Sequence, residues 1–220
     1  MNGGLFMQTL KTEIREKLIF EAKRSFLESN FKNSSMRSIA EASGVTVGNV
    51  YRYFKNKEDL FYEVVADAYN SIMEIIDMDH GSSINLGNAG PGIGGYGIVT
   101  DKVLQSIINV FIKYRQEINI LICRSYGSRF ENVKSELESL IADKIHEEIF
   151  SRNVYGTIDL SIFTRTLANT CVDGISSICA SSMDDEQMQK NIYGLILYLF
   201  EGAKFRLLML EKKLGGDDIE

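Results

Sequence analysis

Ser43–Phe61 reads "SGVTVGNVYRYFKNKEDLF", two glycines, two tyrosines and three basic residues set close together, with an acidic pair that opens an apolar run. Strict apolar/polar alternation is missing, so the stretch is no strand, and a helix packed on all sides has no use for Gly48. Counting Met36 as the first position of a helix-turn-helix puts Ile39 and Ala40 at the fourth and fifth positions, Gly44 at the ninth, Val45 at the tenth and Val50 at the fifteenth. Helices that cross steeply need a small residue where their backbones meet, which Ala40 supplies. The turn between them needs a residue content with a left-handed backbone, which Gly44 supplies. Ile39, Val45 and Val50 then wedge the pair against a preceding helix.

That preceding helix is legible upstream. Ile14, Leu18, Ala22 and Phe26 step by four and give one apolar stripe over about 11–29, which "NFKNSS" breaks. Ser35 caps a short second helix, Met36 to Ala42, and Thr46 caps a third across "TVGNVYRYF". Asn56 caps a fourth, about Lys57 to Asp77, whose first turn carries Glu58 and Asp59 where the helix dipole favours carboxylates. Residues 79–97 then hold seven of the eighteen glycines and the only proline, and read as a loop. Further helices are predicted near 100–116, 117–127, 130–152, 158–182 and 185–213, with a fraying tail and no internal repeat.

Composition agrees with an all-α protein: 220 residues, 45% apolar, 25% charged, one proline. The net charge of −6 hides an asymmetry. Up to Leu60 there are ten Lys and Arg against seven Asp and Glu, which leaves fourteen against twenty-three for the remainder. A basic head on an acidic body can face a polyanion. Three scattered cysteines imply reduced thiols of a cytoplasmic protein, and the two histidines form no ligand cluster with them. We expect no metal and no cofactor. No apolar run is long enough for a membrane span. "MNGGLFMQTL" has no basic region ahead of an apolar core, so no secretory signal is expected, and Met7 is as good a start as Met1.

The run from Gly44 through Thr46, Gly48, Tyr51, the Tyr53–Phe54 pair and Lys57 to Leu60, with "SSMRSIAEASG" before it, closely resembles the head of the TetR family of bacterial regulators. The resemblance covers roughly 11–62. It implies an N-terminal arm and helix-turn-helix DNA-binding domain over 1–56, and a helical ligand-binding and dimerisation domain over 57–220, with the Gly-rich loop at 79–97. On this reading Thr46, Val47, Gly48 and Asn49 face base edges, with Asn49 able to pair bidentately with adenine. Arg37, Ser38, Tyr51, Arg52, Lys55 and Lys57 meet phosphates. Asn49 departs from the Thr, Ala or Ser common at that place and leaves the operator open.

The resemblance further implies a homodimer through the last two helices, double-stranded operator DNA as partner and release by a small-molecule effector. Tyr69, Met73, Phe111, Tyr114, Cys123, Tyr126, Phe163 and Asn169 are candidates to line the effector pocket. Asn191–Leu210 is apolar nearly all round, with Gly194, Gly202 and Ala203 suited to close helix contact, and Leu167, Cys171, Gly174 and Ile178 offer a comparable face. A ligandless DNA-binding or DNA-organising protein with the same head is the alternative. Catalysis is not expected: "GPGIGGYG" resembles a phosphate cradle but follows no strand.

Overall fold

The computed structural model describes residues 3–78, 101–150 and 160–202. These residues are helical apart from short connections. The helices are α1 (Gly3–Asn33), α2 (Met36–Ser43), α3 (Val47–Val50), α4 (Lys57–Asp77), α5 (Asp101–Lys113), α6 (Arg115–Cys123), α7 (Val133–Phe150), α8 (Ser161–Ala180) and α9 (Asp185–Ile196). The loop expected at 79–97, the tail, and any helix beyond 202 lie outside the described residues. No described helix is long and apolar enough to cross a membrane.

Two compact units emerge, one of residues up to Asn70 with Tyr114–Val133, the other of Ser71–Lys113 with Lys134 onward. This differs from a division at 56/57. The reason lies in α4, where Leu60, Phe61 and Val65 are fully buried and Phe61 packs edge-on against Phe26 (5.0 Å) and Phe31 (5.1 Å). A helix that supplies the centre of an aromatic cluster belongs to the core it fills. Each such ring pair adds about 0.5–1.5 kcal/mol beyond burial of area. Leu18, Ala22 and Phe26 of the predicted α1 stripe are completely buried, as are Ile39 of α2 and Val50 of α3. Lys23 pairs with Glu117 (2.7 Å), which joins α1 to α6.

Local chemistry sets the boundaries. Asn30 stands at φ 64, ψ 172 inside α1, a backbone region that costs a residue with a side chain about 1–3 kcal/mol. Three hydrogen bonds offset it: Ser34 N (3.2 Å) and Ser34 Oγ (2.7 Å) donate to Asn30 O, and Asn33 N donates to Asn30 Oδ1 (3.1 Å). Ser35 and Ser38 then form a reciprocal cap for α2, Ser38 N donating to Ser35 Oγ (3.0 Å) and Ser35 N to Ser38 Oγ (3.3 Å). Gly44 closes α2 in the left-handed conformation, φ 68, ψ 28. Thr46 Oγ1 accepts from Asn49 N (3.2 Å), and Asn56 Oδ1 from Asp59 N (2.8 Å).

Three sequence expectations need correction. The third helix spans only Val47–Val50, because Arg52 N bonds Asn49 O (3.1 Å) and Tyr53 N bonds Val50 O (3.0 Å), tightening the chain into a turn. The helix predicted from 185 changes at Leu197–Glu201 into a π-helical turn. The face of α8 expected to meet a partner is partly internal: Cys171 is buried, and a Cβ on Gly174 would stand 2.6 Å from Leu195 Cδ2 of the same chain.

Burial pushes the Cys171 thiol up to about 12, and Cys179 is buried as well, whereas Cys123 is exposed at the end of α6. Since the thiolate is the reactive form, a thiol reagent added to native protein at neutral pH labels Cys123 first and leaves Cys171 until denaturant is added. Peptide mapping of the labelled protein checks the order.

Candidate nucleic-acid interface

Five connected features place the candidate DNA-contact side chains. The kink at Asn30, the Ser35 cap, the left-handed Gly44, the Thr46 cap and the Asn56 cap fix the directions of α2, α3 and the start of α4. On this frame Thr46 and Gly48 are exposed, Val47 and Asn49 half-buried, and Val50 is fully buried as the anchor of the short helix. A Cβ added to Gly48 meets nothing within 4 Å. The fold itself therefore gives no reason for a glycine there.

The expected phosphate contacts divide by how they are held. Tyr51 is 52% exposed, and Arg52 and Lys55 are exposed with no ion pair among the described residues. Arg37 is exposed and paired with Glu41 (3.0 Å), and the Ser38 hydroxyl serves the α2 cap. Tyr53 is half-buried and Phe54 buried beneath the Arg15 guanidinium, 5.6 Å from the ring centroid.

Lys57 has an internal task that the sequence did not announce. Its Nζ donates to Phe31 O (2.7 Å) and Ser34 O (2.9 Å) and lies 4.2 Å from the centroid of the Phe31 ring. Burial lowers its pKa from the usual lysine value, with the neighbouring Glu58 opposing. Two of its three donors thus tie the start of α4 to the chain that enters α2.

The eight candidate pocket residues split evenly between the units: Tyr69, Tyr114, Cys123 and Tyr126 in one, Met73, Phe111, Phe163 and Asn169 in the other. Tyr69 packs edge-on against Phe130 (5.5 Å) and Phe111 is buried, while Met73, Tyr114, Phe163 and Asn169 are half-buried. Cys123 is exposed, and Tyr126 is 64% exposed with the Lys32 ammonium 4.9 Å from its ring centroid. Neither of those two is enclosed by its own unit. Of the three arginines whose burial would mark an anionic effector, Arg124 and Arg165 are exposed and Arg115 is half-buried.

Sequence reading also missed the turn between α6 and α7. It was hidden between helices drawn too long, 117–127 and 130–152, although "SYGS" around Gly127 carries a turn signal. Phe31 N donates to Arg124 O (2.9 Å), Arg129 N to Glu58 Oε2 (3.3 Å) and Gly127 N to Glu131 Oε2 (3.1 Å).

Residues 18–64 match the family profile described as "Bacterial regulatory proteins, tetR family". An uncharacterized HTH-type transcriptional regulator, YhgD of Bacillus subtilis (strain 168), is 43% identical over 51 residues, 23% of this chain and 27% of that protein. The HTH-type transcriptional regulator AcrR of Shigella flexneri is 36% identical over 63 residues, 29% of each chain. These alignments therefore span less than a third of either curated relative. Likeness of fold extends further. The crystal structure of SCO3833, a TetR transcriptional regulator family member from Streptomyces coelicolor A3, matches with a TM-score of 0.61 at 16% identity, over 84% of this chain and 90% of that one. The fatty acid degradation regulator FadR from Bacillus halodurans matches with a TM-score of 0.52 at 16% identity, over 84% and 94%. The helix-turn-helix head thus lies inside the segment that matches the tetR family of bacterial regulatory proteins, and the chain shares its fold with SCO3833.

Proposed function

We propose that this protein is a cytoplasmic transcriptional regulator that binds duplex operator DNA as a homodimer, and that it represses until a small-molecule effector releases it. One observation carries the reading: an exposed short helix whose Gly48 has open space among the described residues where a side chain would be, flanked by Arg52 and Lys55, cations with no ion pair among those residues. In this role Thr46, Val47 and Asn49 reach base edges, while Tyr51, Arg52, Lys55, Arg37 and Ser38 hold the sugar-phosphate backbone. Two such heads would read half-sites about 34–36 Å apart.

Support for pairing through the last two helices comes from the outer surfaces of α8 and α9. On α8, Thr166, Thr170 and Ser177 each turn the hydroxyl back to a carbonyl four residues earlier (2.8 Å in every case), so small apolar groups point outward beside the 80% exposed Ile162. On α9, Tyr193 is exposed beside Gly194, and Tyr198 follows on the π-helical turn, 81% exposed. Effector release needs differential binding: moving the dimer from about 99% to about 1% DNA-competent takes roughly 5.5 kcal/mol. Phe111, Phe163, Met73 and Asn169, all in the unit that carries α5 and α8, are our candidates for that site. Catalysis has no part in this proposal.

The decisive experiment is a titration of the purified full chain with duplex DNA selected from a random-sequence library. The proposal predicts salt-sensitive binding by a dimer, and a lone monomer with no attraction to any duplex overturns it. Gly48→Ala should leave the fold intact, or stabilise it by up to about 1 kcal/mol, yet weaken binding; thermal melting and fluorescence anisotropy on the same sample separate the two effects. Asn49→Ala should flatten preference at one base position by about 1–3 kcal/mol while the dependence on salt stays as it was, which competition between selected and scrambled duplexes measures. Lys57→Ala should do something different: lose charged hydrogen bonds worth about 1.5–3 kcal/mol each, so that melting temperature and affinity for every sequence fall together.

A further inference from the structure

We infer that the turn between α6 and α7, residues 124–129, is a second backbone-binding surface that grips duplex DNA flanking the segment read by α3. The inference rests on the proposed DNA-binding function and extends it to residues outside the helix-turn-helix.

Several cations of this unit are held in ion pairs. Arg15 pairs with Glu63, Lys23 with Glu117, Arg24 with Glu21, and Arg37 with Glu41. Seven exposed cations of this unit have no carboxylate within ion-pair distance among the described residues. Lys11 and Lys17 lie on α1, Arg52 and Lys55 belong to the head's proposed DNA face, and the other three are Lys32, Arg124 and Arg129. Those three are far apart in sequence, but the fold gathers them around one turn.

The gathering is specific. Phe31 N donates to Arg124 O (2.9 Å), which sets the start of the turn beside Lys32. Gly127, at φ 84, lies against Lys32, whose Cβ is 3.5 Å from the place of a glycine Cβ, and the Lys32 ammonium rests 4.9 Å from the Tyr126 ring centroid. Arg129 N donates to Glu58 Oε2 (3.3 Å) while its guanidinium covers Tyr62 (4.4 Å) and Phe130 (4.9 Å). The nearby carboxylates are occupied by backbone donors: Glu58 takes Arg129 N, and Glu131 takes Gly127 N (3.1 Å). Glu58 and Glu131 stay negative, so the three cations Lys32, Arg124 and Arg129 leave the turn with a balance of one positive charge, carried on stacked and partly ordered side chains.

Position selects the occupant. One end of the turn is bonded to the chain three to four residues before the Ser35 cap of α2, the other to the first turn of α4. Arg37 and Ser38, which we assign to phosphates, follow the first, and Lys55, which we also assign to phosphate, precedes the second. Cations gathered there would meet the negative charge of a duplex backbone, and Tyr126, with an exposed hydroxyl-bearing ring, suits sugar and phosphate contact. No base readout follows from it; the surface adds affinity and salt dependence alone.

The test uses the full chain and a long mixed-sequence duplex, with anisotropy titrations over a range of salt. Arg124→Gln and Arg129→Gln, singly and together, should each lower the slope of log affinity against log salt by about 0.9 per lost contact, and affinity should fall several-fold at moderate salt. Arg129→Lys should restore the slope, since it returns the charge. If both glutamine variants keep the wild-type slope, the turn does not touch DNA and the inference fails while the proposed function stands. If the wild-type chain itself shows no salt-sensitive binding to any duplex, the proposed function fails first. Melting curves accompany each variant; should Arg129→Gln unfold because its stacking on Tyr62 is lost, Arg124→Gln alone decides the question.

Discussion

A single ammonium group holds the helix-turn-helix head in register. Lys57 Nζ gathers the carbonyls of Phe31 and Ser34 at the place where α1 has broken and α2 has not begun. Such carbonyls have no helical partner of their own and would be left to water. Phe31 is held a second time through its N–H to Arg124 O and a third through its ring, between Lys57 above and Phe26 and Phe61 beside it. The start of α4, the end of α1 and the end of α6 therefore meet on one residue. A displacement at any of the three must disturb the entry to α2, so the direction of the helix-turn-helix is coupled to α6 by contacts of about 3 Å and needs no longer path.

Much of this was legible in the sequence, and the limits have physical causes. The step of four from Ile14 to Phe26 reports burial on one helix face, and Leu18, Ala22 and Phe26 are indeed completely buried. Ser35, Gly44, Thr46 and Asn56 act locally, through hydrogen bonds or backbone angles within three residues, so their spacing alone announced the caps and the turn. Lys57 could not be read in this way. Its partners are 26 and 23 residues away, and a lysine opening a helix looks the same whether it meets phosphate or carbonyl. The break at Asn30 was visible only as a cluster of polar residues, and the turn at 124–131 was lost between two apolar patterns that seemed to run together.

The expected dimer face illustrates a second limit. Periodicity on α8 identified Leu167, Cys171, Gly174 and Ile178 as one stripe, and the stripe exists. Part of it is used at home: Leu195 of α9 fills the space that Gly174 leaves, and Cys171 is buried. Hydrophobic spacing tells that a face is covered and is silent on whether the cover comes from the same chain. The outward face of α8 is instead marked by Thr and Ser, whose hydroxyls are satisfied by their own helix, a pattern that any hydropathy scale reads as polar.

Glycines sharpen the distinction between what the fold needs and what a partner needs. Gly44 has a left-handed backbone, Gly127 a left-handed backbone against Lys32, and Gly174 a leucine at 2.6 Å; each has an internal reason. Gly48, Gly194 and Gly202 have none among the described residues, which leave open space around the position of the missing Cβ. Glycine inside a helix gives up about 0.5–1 kcal/mol relative to alanine, a cost that no contact among the described residues explains at these three. They fall in the short helix proposed to enter DNA and in the last described helical segment, proposed to meet a second copy. A helix surface that keeps a glycine without a described internal need leaves room for another molecule to approach closely, which is what both proposed interfaces require.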